Sequence, residues 1–161
     1  MQNFIFLMFT LILSSCAGEK QSIRPDYKNF PSHSFEKSLA ELQDSDKPIF
    51  VLFNAIGCLN CRRFEDLLTE EIGLEKIKKK YNFINLYLDD RNLAPESEWK
   101  EYRGKIRKTR GELNQIVQTV KLASGSQPYL AVFDKTGELI KMHYSEKSVP
   151  FINDFLVLKD R

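Results

Sequence analysis

The stretch Lys47-Pro-Ile-Phe-Val-Leu-Phe-Asn-Ala-Ile-Gly-Cys58-Leu-Asn-Cys61-Arg-Arg-Phe-Glu65 decides the fold of this chain. Its apolar run from Ile49 to Phe53 follows a Lys-Pro break and has the character of a strand buried on both faces. After Cys61 the apolar residues recur at helical spacing, up to a bend or break at Gly73. The stretch therefore predicts a central strand that leads directly into a helix.

Cys58 and Cys61 open that predicted helix. The first turn of a helix has unpaired backbone N–H groups and a partial positive charge, which favour a thiolate on the first cysteine. Two intervening residues let the second cysteine reach back and form a disulfide with the first. This pattern is typical of a thiol–disulfide exchange site.

The rest of the chain predicts six further elements and a mixed sheet. The predicted helices are one with Phe35, Leu39 and Leu42 on one face, one with Leu113, Ile116, Val117 and Val120 facing inward, and a last one from Val149 to Leu158. A second strand is predicted from Phe83 to Leu88. The last two strands, Pro128–Phe133 and Leu139–Tyr144, are predicted to form a hairpin with Gly137 at a turn position that needs positive φ. This order predicts an α/β fold, in which a mixed central sheet with a first parallel pair is flanked by helices on both faces.

Residues 91–110 interrupt this order as a charged, poorly periodic stretch just before the helix near residue 112. Its length predicts a surface insertion, with a short helix of its own around Trp99 and Tyr102. Six basic residues between Lys100 and Arg110 would suit an acidic partner. The alternative is an ordinary solvated face, offset by neighbouring glutamates.

The composition favours one globular domain with a tether. The chain has 161 residues, of which 42% are hydrophobic, and its 24 basic and 22 acidic side chains give a net charge of +2. This near balance provides no electrostatic reason for a nucleic-acid partner.

The first 15 residues form an uncharged apolar run that is too short to span a bilayer, and we expect residues 1–15 to be a secretory signal peptide. The run ends in Leu13-Ser14-Ser15-Cys16, which resembles the lipobox of bacterial lipoproteins and implies a lipid on Cys16. The absence of Lys or Arg before the run departs from that pattern, and the alternative is an ordinary cysteine in a leader. We expect residues 16–34 to be a tether, residues 35–161 to be the domain, and the protein to be lipid-anchored in the bacterial cell envelope, facing the periplasm.

From Phe35 to Leu158 the chain resembles the thioredoxin family. Within that family it is most similar to the C-terminal periplasmic domain of the transmembrane thiol–disulfide interchange (cytochrome c biogenesis) reductases, and to small exported lipoproteins related to it. The resemblance rests on Lys47-Pro48, on Asn54 to Glu65 with its Cys-x-x-Cys, and on Gln127-Pro128 before the hairpin.

The resemblance implies a thioredoxin fold and a role for each matching residue. Cys58 is expected to be the exposed nucleophile, Cys61 the buried resolving thiol, and Pro128 the family's cis-proline beside the disulfide. Pro128 has no N–H, so the backbone at Gln127 is open to pair with a substrate strand. No cofactor beyond the Cys58–Cys61 disulfide is implied.

Two departures from the family pattern concern proton handling and access. The acidic residue that the family places six positions before the first cysteine is Leu52 here. Glu65 matches a glutamate of the reductase domain and is the candidate acid, the alternative being an ordinary exposed helix glutamate. Gly57 stands where a Trp often precedes the first cysteine, which would widen substrate access to Cys58.

We therefore expect an exported, membrane-tethered thiol–disulfide oxidoreductase that reduces, or relays electrons to, the disulfides of exported proteins. A membrane thiol–disulfide protein would supply its electrons. The alternative is a thioredoxin-fold binding module that holds a client protein or Cu(I), or a scaffold without turnover. Beyond the two cysteines, the histidines that could complete a four-ligand zinc site are His33, in the predicted tether, and His143, in an edge-like strand. A histidine in such a position is more often an ordinary surface or core residue, so no metal ligands are assigned.

Overall fold

The computed structural model describes residues 30–144 and 149–156. The predicted signal peptide, Cys16 and most of the predicted tether lie outside the described residues. The helices are α1 (Phe35–Glu41), α2 (Leu59–Asp66), α3 (Leu74–Lys80), α4 (Arg110–Leu122) and α5 (Val149–Leu156), and the strands are β1 (Ile49–Asn54), β2 (Asn82–Tyr87), β3 (Lys100–Tyr102), β4 (Lys105–Arg107), β5 (Tyr129–Phe133) and β6 (Leu139–Tyr144).

The main sheet has the strand order β2-β1-β5-β6. β1 runs parallel to β2, with Ile49 opposite Asn82, and antiparallel to β5, with Phe53 opposite Tyr129. Every residue of β1 is buried. The structure thus confirms the mixed sheet and the central position of the strand that precedes the cysteines.

Helices cover both faces of this sheet, because β1 alternates its apolar side chains between two clusters. Phe50 and Leu52 pack with Phe64 of α2, in the cluster that also holds Ile77 of α3 and Ile152 of α5. The other face is covered by α1 and α4, through the cluster of Phe35, Val51, Phe53, Val117, Ala131 and Phe133. These layers confirm the predicted α/β architecture.

The helix that begins after Cys58 breaks where the sequence predicted. α2 continues as a π-helical segment, Leu67–Ile72, and Gly73 follows with φ +84°. Glycine adopts this left-handed backbone without a steric penalty, so the chain turns there and begins α3. Gly137 likewise has a positive φ, of +82°, in the turn between β5 and β6, as predicted.

The helix predicted around Trp99 and Tyr102 is wrong. A 3₁₀ turn, Glu96–Glu98, leads into β3 and β4, which form a two-stranded hairpin. Arg103 and Gly104 have φ of +52° and +72° at its two-residue turn. Tight hairpin turns of this kind need positive φ at both central residues, and Gly104 supplies one of them at no steric penalty.

The inward face predicted for α4 is correct at Leu113 and Val117 but wrong at Val120, whose side chain is 65% exposed. The helix instead buries two amides, Asn114 and Gln118, which donate to the backbone oxygens of Tyr87 and Ser126 at 2.9 and 2.6 Å. These hydrogen bonds offset the free-energy cost of burying the two amides. The buried face of α4 therefore includes Asn114 and Gln118 and leaves Val120 on the solvent side.

Residues 30–34, which the sequence assigned to the tether, lie against the domain. Phe30 is 4% exposed and packs edge-on against Phe83, with ring centroids 5.1 Å apart. Its N–H lies 3.4 Å from the hydroxyl of Tyr87. Over residues 30–144 and 149–156, no helix has the length and hydropathy needed to cross a bilayer.

Candidate functional site

Cys58 and Cys61 lie at the carboxyl end of β1, where a short loop joins this strand to α2. Cys58 is the N-cap of the helix, and its Sγ accepts a hydrogen bond from the N–H of Cys61 at 3.2 Å. The two cysteines form a disulfide, with their Cα atoms 5.2 Å apart. Cys58 is half-buried whereas Cys61 is 1% exposed. Of the two sulfurs, only that of Cys58 is therefore accessible to a sulfur of another protein.

Asp89 holds the loop that precedes Cys58. Its two carboxylate oxygens accept hydrogen bonds from the N–H groups of Ile56 and Gly57, at 2.7 and 2.8 Å. Asp89 follows the end of β2, and the parallel pairing of β1 with β2 brings both strand ends to the same edge of the sheet. The exposed carboxylate thus fixes the backbone immediately before Cys58, and it places a negative charge there.

Pro128 lies at this same edge of the sheet. The Gln127–Pro128 peptide bond is cis, as the resemblance implied. β5 begins at Tyr129, opposite Phe53, so the segment before it reaches the end of β1 from which the Cys58 loop leaves. Pro128 is buried, whereas Gln127 is exposed.

Glu65 is buried, at 1% exposure, so the alternative of an exposed helix glutamate is wrong. Its carboxylate accepts hydrogen bonds from the amide of Asn54 and from the hydroxyl of Tyr87, the latter at 2.9 Å. Glu65 lies one helical turn after Cys61 on the buried face of α2. Residues four apart on a helix are neighbours, with about 5–6 Å between their Cβ atoms.

The carboxylate thus occupies the same sheet face that Leu52 lines with a hydrocarbon side chain. Leu52 is fully buried and packs in the cluster with Phe64. Asn54, two residues further along β1, points to the same face and contacts Glu65. The buried acid therefore comes from the helix in this chain, whereas the family pattern places it on the strand.

Three residues of the site were missed in the sequence: Asn54, Tyr87 and Asp89. Asn54 and Tyr87 end β1 and β2, and Asp89 lies two residues after β2. Because β1 and β2 are parallel, these strand ends meet at the edge of the sheet that carries the cysteines. Polar residues at the carboxyl ends of two adjacent parallel strands were the available signal. What the sequence could not provide was their partners, which lie 11 to 33 residues away.

The two histidines lie away from the cysteines in contact with other parts of the fold. The ring of His33 lies 3.2 Å from the backbone of Asn85, and that of His143 lies against Phe151. In the part of the chain that the structure describes, no three His, Cys, Asp or Glu residues cluster as metal ligands would. The site brings together one half-buried sulfur, one buried sulfur and one buried carboxyl group.

Comparisons with known proteins agree with this fold. The model of a thioredoxin-like domain family matches residues 35–148. The solved structure of the DsbH oxidoreductase is similar with a TM-score of 0.56 at 15% identity, covering 80% of this chain and 83% of that one. The structure of Trxlp from Edwardsiella tarda EIB202 is similar with a TM-score of 0.53 at 17% identity, covering 79% and 97%. No curated protein sequence matches.

Proposed function

Because this chain belongs to the thioredoxin-like family and carries a Cys-x-x-Cys pair at its helix start, we propose that it is a thiol–disulfide oxidoreductase that reduces the disulfides of other proteins. The observation that carries the proposal is the unequal exposure of the pair. Cys58 is accessible at the N-terminus of α2 and Cys61 is buried behind it. A pair that exchanges disulfides with partners needs one sulfur to meet the partner and one to release it.

The reaction consists of two exchanges. The thiolate of Cys58 attacks a client disulfide, so that one client sulfur bonds to Cys58 and the other leaves as a thiolate. The thiolate of Cys61 then attacks the Cys58 sulfur, which forms the Cys58–Cys61 disulfide and releases the second client thiolate. The client gains two electrons and the protein loses two. A donor dithiol restores the pair by the same exchanges in reverse.

Helix α2 favours the first exchange, since the N–H of Cys61 points at the Cys58 sulfur and the helix N-terminus favours negative charge there. The second exchange needs the buried Cys61 to lose its proton in a site with little water. Glu65, one turn away on the same face, is the group that we propose accepts this proton. The hydrogen bonds from Asn54 and Tyr87 hold the carboxylate in place.

We also propose export and membrane tethering, with exported protein disulfides as clients and a membrane thiol–disulfide protein as electron donor. The support is sequence evidence: the apolar Met1–Ser15 run, the lipobox-like ending at Cys16, and the likeness of Asn54 to Glu65 to the reductase domain. Cys16→Ser should move the protein from the membrane to the soluble fraction and abolish incorporation of labelled fatty acid. If the wild type and Cys16→Ser both stayed in the membrane fraction and neither incorporated labelled fatty acid, lipid anchoring at Cys16 would be contradicted.

Trapping of mixed disulfides tests the mechanism. In a Cys16→Ser background, Cys61→Ser should accumulate covalent complexes with clients, because nothing releases them. Cys58→Ser should form none and should not reduce insulin. Insulin reduction that survives Cys58→Ser would rule out the mechanism.

The direction of electron flow is tested by the reduction potential of the pair, measured by thiol alkylation after equilibration in graded glutathione or dithiothreitol buffers. A potential near about −270 mV would support a reductase, whereas one near about −120 mV would make the protein an oxidant. A pair that never cycles would leave the binding module or scaffold as the function.

A further inference from the structure

A groove runs from the redox site to the charged insertion. One cavity, of about 160 Å³, is lined by Leu88, Gly125 and Gln127 together with Gln115, Gln118 and Thr119 of α4. A second, of about 190 Å³, is lined by Tyr102, Arg103 and Arg107 of the hairpin together with Glu112, Gln115, Ile116 and Thr119. Gln115 and Thr119 line both cavities, so the two cavities adjoin along α4, and together they are called the groove.

One end of this groove is at the cis-peptide segment. Gln127, which lines the first cavity, directly precedes Pro128 at the sheet edge that carries the Cys58 loop. A client segment whose cysteine meets Cys58 and whose backbone lies along Gln127 would therefore enter the groove at this end.

The other end of the groove is cationic. Arg107 is paired with Glu112, 3.5 Å away, and Lys100 is paired with Glu36 of α1. Arg103 and Lys105, at the exposed hairpin turn, take part in no ion pair among residues 30–144 and 149–156. Arg103 lies over the ring of Tyr102, 5.3 Å from its centroid, which orients the guanidinium beside the cavity. This end of the groove has unneutralised positive charge.

The lining between the two ends includes the polar side chains of Gln115, Gln118 and Thr119. The amide of Gln115 donates to the backbone oxygen of Leu88 at 2.6 Å, which fixes a side chain that lines both cavities. A groove that has polar side chains along its length and positive charge at one end suits a polar peptide with acidic side chains better than an apolar peptide.

We propose that this groove binds client proteins through acidic residues that flank the client cysteine, with Arg103 and Lys105 as the groups that select them. The inference rests on the proposed oxidoreductase function and adds the chemistry of its clients. It gives the insertion a role that a mere solvated face would not have.

Two peptides test the proposal. Each contains one cysteine in a mixed disulfide with glutathione; one carries a run of Asp and Glu beside the cysteine, and the other carries Asn and Gln at the same positions. The second-order rate constant of reduction is measured with the wild type, with Arg103→Asp/Lys105→Glu, and with Lys76→Glu/Lys79→Glu. The last pair lies on α3, on the opposite face of the sheet, and changes the net charge equally.

The wild type should reduce the acidic peptide about three- to tenfold faster than the amide peptide, since two exposed charge pairs contribute modestly at low salt. The ratio should fall to one or below in Arg103→Asp/Lys105→Glu and should persist in Lys76→Glu/Lys79→Glu. A wild-type ratio near one, or an equal fall in both variants, would overturn the groove.

Binding of a fluorescent acidic peptide with serine in place of cysteine separates this proposal from the proposed function. If no peptide is reduced but the serine peptide binds in a way that depends on Arg103 and Lys105, the groove stands and the oxidoreductase function fails. If reduction proceeds and the serine peptide binds both double variants alike, the function stands and the groove fails.

Discussion

At the scale of single residues, the role proposed for Glu65 depends on the position that the fold gives its carboxylate. This carboxylate is buried against Asn54 and Tyr87 and lies one turn from Cys61. A buried carboxyl group in this position is suited to exchange a proton with the neighbouring thiol, which bulk water reaches poorly.

We predict that Glu65→Gln slows the release of mixed disulfides by about 10²-fold, the lower range for a positioned proton acceptor. The glutamine still accepts a hydrogen bond but no proton, so formation of the mixed disulfide at Cys58 should be unaffected. Stopped-flow measurement of both exchanges across pH checks this. Asp66→Asn, at the exposed next position, is the control. Equal slowing of both steps by Glu65→Gln would indicate a purely structural role.

Asp89→Ala should loosen the loop before Cys58 and shift the reduction potential. The loss of two hydrogen bonds to a charged acceptor, at an exposed position, should lower the free energy of unfolding by about 1–3 kcal/mol. Removal of the negative charge favours the thiolate of Cys58, so the potential should become less negative. Denaturant unfolding and glutathione equilibration measure the two effects. Arg91→Ala, two residues away and exposed, should change neither.

At the scale of elements, the start of α4 joins the insertion to the end of β2. The N–H of Gly111 donates to the backbone oxygen of Asp90 at 2.8 Å. A Cβ at Gly111 would lie 2.7 Å from the oxygen of Leu88 and 2.8 Å from the nitrogen of Asp90. These atoms are backbone, so they cannot move aside as a flexible side chain would.

Gly111→Ala should therefore destabilise the protein by about 1–3 kcal/mol, despite the better helix propensity of alanine. Gly125→Ala is the matched control, because its Cβ would have no neighbour within 4 Å. Its effect should stay within about 0.5 kcal/mol. Urea unfolding of both variants checks the comparison, and equal stabilities would contradict the close backbone approach.

The capping box of α4 should make stability depend on pH. The side chain of Thr109 caps the helix. The backbone N–H groups of Thr109 and Lys108, of which the first has the larger effect, donate to the carboxylate of Glu112 and lower the pKa of Glu112 from 4.5 to about 2. A group whose pKa is lower in the folded state stabilises the fold above its unfolded pKa and loses this contribution as the pH falls towards the folded value.

Glu112→Gln should thus cost about 1 kcal/mol at neutral pH, the usual value of a helix cap. The difference from the wild type should shrink between about pH 4.5 and about pH 2, as the carboxylate of the wild type becomes protonated. Unfolding midpoints in urea across this range measure it. A difference that is constant with pH would show that the charge of Glu112 contributes nothing.

For the whole molecule, the redox state of the pair and the stability of the fold are linked. Any difference in stability between the oxidised and reduced forms appears in the reduction potential, at about 1.4 kcal/mol for 30 mV. In a thiol–disulfide protein that acts as a strong oxidant, the reduced form is the more stable one.

If the protein is a reductase, the oxidised form should resist denaturant better than the reduced form, by about 1–3 kcal/mol. Parallel guanidinium unfolding of both forms, with Cys58→Ser/Cys61→Ser as the control without redox states, measures the difference. A more stable reduced form would reverse the proposed direction of electron flow.

Local pattern was enough to predict the order of the main elements and the position of the cysteine pair. A continuous apolar run, a helical period and a Cys-x-x-Cys at their junction are properties of neighbouring residues. The same local reasoning erred in the insertion, where the Arg103–Gly104 turn prevailed over a suggested helix, and at Val120, which buried amides displaced from the inner face.

What only the tertiary structure decided are contacts between residues far apart in sequence. The burial of Glu65 depends on Asn54 and Tyr87, the grip on the Cys58 loop depends on Asp89, and the groove to Arg103 depends on how the hairpin packs beside α4. The sequence by itself determined the mixed α/β architecture and the position of the cysteine pair, because both follow from periodicity and spacing along the chain, and its resemblance to the thioredoxin family implied the specific fold. The environment of that pair depended on which strand ends and loops contact each other in the folded protein. Local periodicity does not encode these long-range contacts.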